Sequence, residues 1–151
     1  TAAIENPSFI EDIAELYGRQ SIIASIDVKK KNDNYKIYTH SGKKQHNLDL
    51  IETIHKIETA GAGEILINSI DQDGMQTGYD IDLIKLVSSH INIPVIAIGG
   101  AGTYEDLAMA VTEGAASAAA AGSVFVFIGK NRAVLINYPD DEELQELFVN
   151  L

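Results

Sequence analysis

The sequence predicts a parallel α/β sheet, half of an eight-stranded (β/α)8 barrel. Three observations predict it. A short, wholly apolar run at Val95–Ile98, with apolar-rich runs at 22–26, 64–70 and 117–121 beside it, suits strands buried on both faces. Segments with helical spacing alternate with those runs, and such alternation means a parallel sheet. The 151 residues hold only four barrel strands, whereas a closed eight-stranded barrel takes about 250 residues. The chain opens at Thr1 and goes almost at once into a helix, so it reads as half a barrel cut from a longer chain. A complete small open-sheet domain is the alternative.

Each element has its own signals. Asn6 suits an N-cap and Pro7 the first helical position. Phe9, Ile10, Ile13, Ala14, Leu16 and Tyr17 then recur at helical spacing until Gly18. Strand 22–26 follows, with Asp27 at its carboxyl end. Residues 29–34 are polar and 35–39 alternate, which predicts an excursion hairpin turning at Asn32-Asp33-Asn34. Ser41-Gly42-Lys43-Lys44 reads as a loop. Leu50, Ile51, Ile54 and Ile57 mark one face of a helix over 48–60, stopped by Gly61. Strand 64–70 carries Ser69, Asp71 and Asp73 at its carboxyl end, with Gly74 and Gly78 in the loop beyond. Asp80 caps a helix bearing Ile81, Ile84, Leu86 and Val87. After Val95–Ile98 come Gly99, Gly100 and Gly102; Thr103 and Asp106 form a variant capping box, and Gly114 ends that helix. Strand 117–121 runs into Gly122-Ser123. A short apolar run at 133–136 and an acidic helix from Asp140 close the chain.

Composition narrows the function. Hydrophobic residues make up 46%, which marks a globular chain, and no apolar run is long enough to span a membrane. The start has no signal-peptide pattern and the chain has no cysteine, which fits a cytoplasmic protein without disulfides. Its 22 acidic and 11 basic residues give a net charge of -11, which argues against nucleic acid or an anionic membrane as partner. An anionic ligand therefore needs local backbone donors.

Such donors are expected in one place. Two neighbouring strands end in glycine-lined turns that lead into helix starts, at Gly99-Gly100 and at Gly122-Ser123. Backbone N–H groups and helix dipoles there make an anion site that suits a phosphate, and a parallel barrel commonly holds one after its last two strands. The plainer alternative is that these glycines only shape tight turns. Asp27, a carboxylate just after a buried strand, reads as catalytic at a barrel's top face; the alternative is a structural cap of a turn. Asp71 and Asp73 are candidates for an acid/base pair or metal ligands, but no histidine or third carboxylate stands at ligand spacing, so no metal is expected. Lys43 and Lys44 are candidates to hold a substrate phosphate, or else form a solvated loop. Glu64 begins its strand, at the opposite end of the sheet, and is a candidate gate or interface residue. His40, His46, His55 and His90 share no pattern and read as surface residues.

Taken in order, Ile26-Asp27-Val28-Lys29, Ser41-Gly42-Lys43-Lys44, Gly61-Ala62-Gly63-Glu64-Ile65-Leu66, Ser69-Ile70-Asp71-Gln72-Asp73-Gly74, Gly78-Tyr79-Asp80 and Gly99-Gly100-Ala101-Gly102 resemble a known family. They are similar to the carboxyl-terminal half of the cyclase subunit of imidazole glycerol phosphate synthase, and the likeness covers almost the whole chain through Phe127. The resemblance implies a (β/α)8 TIM barrel that pairs with a glutaminase subunit. The glutaminase releases ammonia, which passes up the barrel interior. At the top face, cyclase and lyase chemistry on a phosphorylated ribulosyl nucleotide yields imidazole glycerol phosphate, a step of histidine biosynthesis. The resemblance assigns general acid/base work to Asp27, whose partner aspartate would lie on a strand preceding this chain. It assigns Gly99, Gly100, Gly122 and Ser123 to one phosphate site and Thr1 to part of the other. It places Asp73 near the substrate at the top face and Glu64 at the ammonia gate and partner interface, and it implies no cofactor.

The sequence also departs from that family. Ile98 stands where the family usually has serine before the two glycines, and Val126 where it often has histidine. Within a family-variable tail over 129–151, the stretch 129–139 is similar instead to a paralogous group linked to cell-surface sugar biosynthesis, which adds ammonia to a nucleotide-linked sugar. A non-catalytic phosphate-binding or assembly module is a reading of another class. Two expectations follow from a half-barrel: the 151-residue chain alone is catalytically inactive, and it forms a homo-oligomer through its open strand faces and edges.

Overall fold

A computed structural model describes residues 1–129 and 131–149. Six strands form one sheet: β1 (Ile23–Lys31), β2 (Asn34–Thr39), β3 (Lys44–His46), β4 (Glu64–Ser69), β5 (Val95–Ile98) and β6 (Ala118–Ala120), in the order β3-β2-β1-β4-β5-β6. β1, β4, β5 and β6 run parallel to one another, and β2 pairs antiparallel with β1 and β3. These are the four expected barrel strands, joined by α3 (Leu50–Thr59), α4 (Ile81–Ser88) and α5 (Tyr104–Thr112). The architecture is that of half a (β/α) barrel. α1 (Ala2–Glu5) and α2 (Ser8–Tyr17) precede it; α6 (Ser123–Val126), a small β7–β8 pair (Phe127–Ile128, Ala133–Val134) and α7 (Asp141–Val149) follow. Within the tail, Lys130, Asn150 and Leu151 lie outside the described residues.

One face of the sheet makes the core. Side chains alternate between faces along a strand. Ala24, Ile26 and Val28 of β1, Ile65 and Ile67 of β4, and Val95 and Ala97 of β5 are all buried on the helix side. All but Ala97 share a cluster with Ile54 and Ile57 of α3 and Leu83 and Val87 of α4, and Ala97 packs in a second cluster with Ile84, Leu107 and Ala110. Each fully buried isoleucine or leucine contributes about 1.5–3 kcal/mol relative to exposure, so this layer holds the sheet against its helices.

The other face corrects the expectation of strands apolar on both sides. Register places its residues in rows across the parallel strands: Ile23 with Glu64; Ser25, Leu66, Ile96 and Ala118; and Asp27, Asn68, Ile98 and Ala120. Polar groups thus stand on β1 and β4 beside Ile23 and Leu66, whereas β5 and β6 present only apolar residues. β2 pairs with β1 only along Asp27–Lys31, so Ile23–Ile26 has no strand partner on that side.

Side-chain caps form at three helices, at Asp80 and Thr103 as expected. Asp49 and Asp80 cap α3 and α4 by accepting from the backbone N–H groups of Glu52 and Leu83. Thr103 and Asp106 form the reciprocal capping box of α5. Three differences have physical causes. Pro7, not Asn6, is the N-cap of α2; Asn6 ends the short unexpected helix α1, and its side chain accepts from the Ser8 hydroxyl at 2.8 Å. β1 continues past Asp27 to Lys31 because β2 supplies a ladder partner for polar residues that lack strand periodicity. β3, expected as loop, pairs with β2, the Thr39 hydroxyl meeting His46 Nε2 at 2.8 Å.

Candidate functional site

Asp27 stands in the last row shared by all four parallel strands. It is half-buried, and its Oδ1 accepts a hydrogen bond from Asn68 Nδ2 at 2.9 Å. That partner lies across the sheet on β4, so the carboxylate does not cap a turn. Asn68 is a residue the sequence reading missed. Its own Oδ1 is buried without a partner among the described residues. The signal was present: Asn68 is the polar residue at the top of β4 on the face of Glu64 and Leu66.

The glycine turns meet at the same end. A pocket of about 170 Å³ is lined by Asp73, Gly74, Ile98, Gly99, Gly100, Ala101, Ala121, Gly122 and Ser123. Whole-ligand pockets run to about 300–1,000 Å³, so this one suits a single group of a ligand. It brings together five expected site residues: Asp73, Gly99, Gly100, Gly122 and Ser123. The N–H groups of Gly100 and Ala101 have no acceptor among the described residues. The start of α5 contributes less than expected. Asp106 Oδ2 already accepts from the Gly102 and Thr103 N–H groups at 2.8 and 2.9 Å.

The glycines divide by role. A Cβ on Gly100 would lie 2.1 Å from the Gly78 carbonyl oxygen at φ +122, and one on Gly99 would lie 2.8 Å from Asn68 Oδ1 at φ +93. These two are required by the β4–α4 loop packed on them, where Gly78 N–H also donates to the Gly100 carbonyl at 2.9 Å. The turn-shaping alternative therefore holds for both, whatever else they bind. Gly122 has open space around its Cβ position and φ -124, so packing makes no such demand. Gly100→Ala is expected to lower the unfolding free energy by about 2–4 kcal/mol, combining a strained φ with a backbone collision. Urea denaturation checks this; a loss below 1 kcal/mol, roughly the scale of an ordinary substitution, would mean that the loop gives way freely.

The remaining expected residues are elsewhere. Thr1 is exposed, and its hydroxyl accepts from the His40 N–H at 3.1 Å, beside the turn that carries Lys43. Lys43 is exposed on that turn and does not line the pocket. Lys44 pairs with Glu5 at 2.5 Å and His40 Nε2 meets the same carboxylate at 3.2 Å; these contacts hold the Glu5 carboxyl below its ordinary range. Glu64 stands four residues before Asn68 on the open face, about 13 Å down the strand. Asp71 is structural: its carboxylate accepts from the Lys30 N–H at 2.8 Å and pairs with Lys29 at 3.6 Å. Tyr79 ties the loop to β6 by donating to the Ala120 carbonyl at 2.8 Å, and burial raises its phenol above the ordinary range. Among the described residues no cluster of metal-ligating side chains occurs, and no helix is long and apolar enough to cross a membrane.

A family described as "Histidine biosynthesis protein" matches residues 1–130. The chain belongs to the histidine biosynthesis protein family. Within it the chain is 44% identical over 145 residues to a putative imidazole glycerol phosphate synthase subunit hisF3 of Vibrio vulnificus, covering 95% of this chain and 56% of the relative. It is 48% identical over 127 residues to an imidazole glycerol phosphate synthase subunit HisF of Chlorobaculum tepidum, covering 84% and 51%. A HisF subunit of Dehalococcoides mccartyi is 51% identical over 125 residues, covering 83% and 49%. The chain thus spans about half the length of the curated relatives it matches.

Proposed function

We propose that these residues form the second half of an ammonia-using synthase barrel, the cyclase of an imidazole glycerol phosphate synthase in histidine biosynthesis. The observation that carries this is the sharing of one sheet end by a half-buried carboxylate, Asp27, and a glycine-walled pocket. In this reading Asp27 transfers protons at the reacting carbon and nitrogen atoms, held in orientation by Asn68. Gly99, Gly100, Gly122 and Ser123 receive one substrate phosphate and Thr1 lies at the other, with Lys43 nearby. Asp73 faces the substrate from the loop. Glu64, at the far end of the strands, meets ammonia delivered by a glutaminase subunit. One carboxylate and part of one phosphate site would come from the other half of the barrel, so the 151-residue chain alone is expected to be inactive. By itself it is expected to associate with copies of itself, in the cytoplasm, without metal or cofactor.

A second reading has its own support. The alignment with the Vibrio relative extends over 145 residues, into the tail beyond residue 130, whereas those with the HisF subunits of Chlorobaculum and Dehalococcoides cover 127 and 125 residues. The departures at Ile98 and Val126 and the tail's likeness to the cell-surface sugar group support a paralogue that uses the same ammonia chemistry on a nucleotide-linked sugar.

The test is Gly122→Asp. The position has open space, so the fold should survive, with a melting temperature close to that of the parent. A carboxylate in the pocket repels an anion. Inorganic phosphate, titrated calorimetrically, should bind the parent chain and bind the variant at least about tenfold more weakly, the equivalent of one lost charge-assisted contact. Equal binding by both would remove the phosphate site from this pocket.

A further inference from the structure

Positive charge in this acidic chain is concentrated on the hairpin. Six of the 11 basic residues, Lys29, Lys30, Lys31, Lys36, Lys43 and Lys44, fall within residues 29–44, where Asp33 is the one acidic residue. Three of them share a face. Alternation along β1 puts Lys29 and Lys31 on the face of Asp27. Register sets Lys36 opposite Lys29, and Tyr38 opposite Asp27. Two hydrogen bonds agree with that assignment: Gln45 Oε1 accepts from Lys31 Nζ at 3.1 Å and from the Tyr38 hydroxyl at 2.9 Å. Lys30 points the other way, pairing with Asp82 and lying 5.5 Å from the Tyr35 ring centroid.

This arrangement costs the isolated chain stability. Like charges directly opposite on an antiparallel pair destabilise it, and Lys29 and Lys36 are such a pair. Asp71 offsets Lys29 at 3.6 Å, and Lys31 has only a neutral amide. Lys36 is half-buried and has no partner among the described residues. Two ammonium groups on this face, Lys31 and Lys36, therefore have no paired carboxylate among the described residues, and they stand in rows about 7 Å apart along the strands, with Asp27 in the next row. Breaking a local rule beside a reactive carboxylate marks function rather than stability.

We propose that Lys36, with Lys29 and Lys31, forms a third anion subsite that binds a linked diphosphate, as in a nucleoside diphosphate. The span of two rows and the two ammonium groups without a paired carboxylate fit two joined phosphates better than one. The subsite is separate from the glycine pocket, whose lining contains none of these lysines. It is also separate from Thr1, which contacts His40, four residues along from Lys36. The inference rests on the reading of the Asp27 end as the substrate end, and it names the substrate as a nucleotide-linked compound.

Calorimetric titration of the full 151-residue chain tests it, with uridine diphosphate and inorganic phosphate as separate probes. Lys36→Met should weaken uridine diphosphate about tenfold, the loss of one charge-assisted contact, and leave inorganic phosphate unchanged. Lys36→Arg should retain most of the affinity, and a melting curve for each variant shows that it is folded. Diphosphate affinity within about twofold of the parent in folded Lys36→Met overturns the proposal. So does a Gly122→Asp variant that loses both probes together, because the hairpin would then hold nothing by itself. If inorganic phosphate binds nowhere but uridine diphosphate binding still depends on Lys36, the glycine-pocket assignment fails and this one stands.

Discussion

Asp27→Asn is expected to cut ammonia-dependent turnover by about 100- to 10,000-fold, the usual share of general acid/base catalysis. The assay uses a full-length barrel that carries these residues as its second half, with ammonia supplied directly so that no glutaminase is needed. Asparagine matches aspartate in size and keeps an oxygen where Asn68 Nδ2 donates at 2.9 Å. It cannot take up a proton and give it back. The local geometry and substrate binding should therefore survive, and KM should move far less than kcat. The partner on β4 strengthens this expectation: a turn-capping aspartate would bond backbone N–H groups, whereas this one is held by a side chain across the sheet. A fall in turnover below about tenfold would return Asp27 to a structural role. Unfolding free energies of the two proteins should agree within about 1 kcal/mol, the scale of a single neutral hydrogen bond.

The fold was legible because it is written in local rules. The capping box at Thr103 and Asp106, the caps at Asp49 and Asp80, and the apolar strands 65–67 and Val95–Ile98 each announce themselves within a few residues. What was missed depends on pairing between distant segments. β3 is three polar residues that become a strand only because β2 lies beside them. Asn68 gains its role from register, which sets it opposite Asp27. The faces of β1 and β4 were misread for a related reason. Alternation in Ile23, Ser25 and Asp27 is visible, but a run rich in isoleucine hides it until the helices cover one side. The pocket was legible in its glycines, and the structure separates Gly99 and Gly100, which packing demands, from Gly122, which it does not.

The 151-residue chain by itself is expected to associate, with a dissociation constant in the micromolar range or tighter. Its open sheet face carries Ile23, Leu66, Ile96, Ile98, Ala118 and Ala120, none of them buried. Leu16 and Tyr17 at the end of α2 and Ile23 at the start of β1 are all more than half exposed. Two strand edges, Ile23–Ile26 and Ala118–Ala120, have backbone groups that can recruit another strand. A two-fold axis lets one copy cover the face and edges of another, since such an interface is self-complementary. The polar residues on β1 and β4 limit which part is buried. Asp27 and Glu64 resist a dry contact, so the contact should centre on β5, β6 and Leu66. The net charge of -11 opposes association, but it acts through salt water over about 8 Å. Apolar burial yields about 25 cal/mol per Å² and is not screened, and a stable interface removes about 1,600 Å² in all. Sedimentation equilibrium at micromolar concentration should therefore report a dimer or larger species. Leu66→Glu, which places a charge in the middle of the apolar rows while sparing the helix-side core, should return it to monomer. A parent chain that sediments as a compact monomer would mean that the open face is closed by the chain's own tail rather than by a second copy.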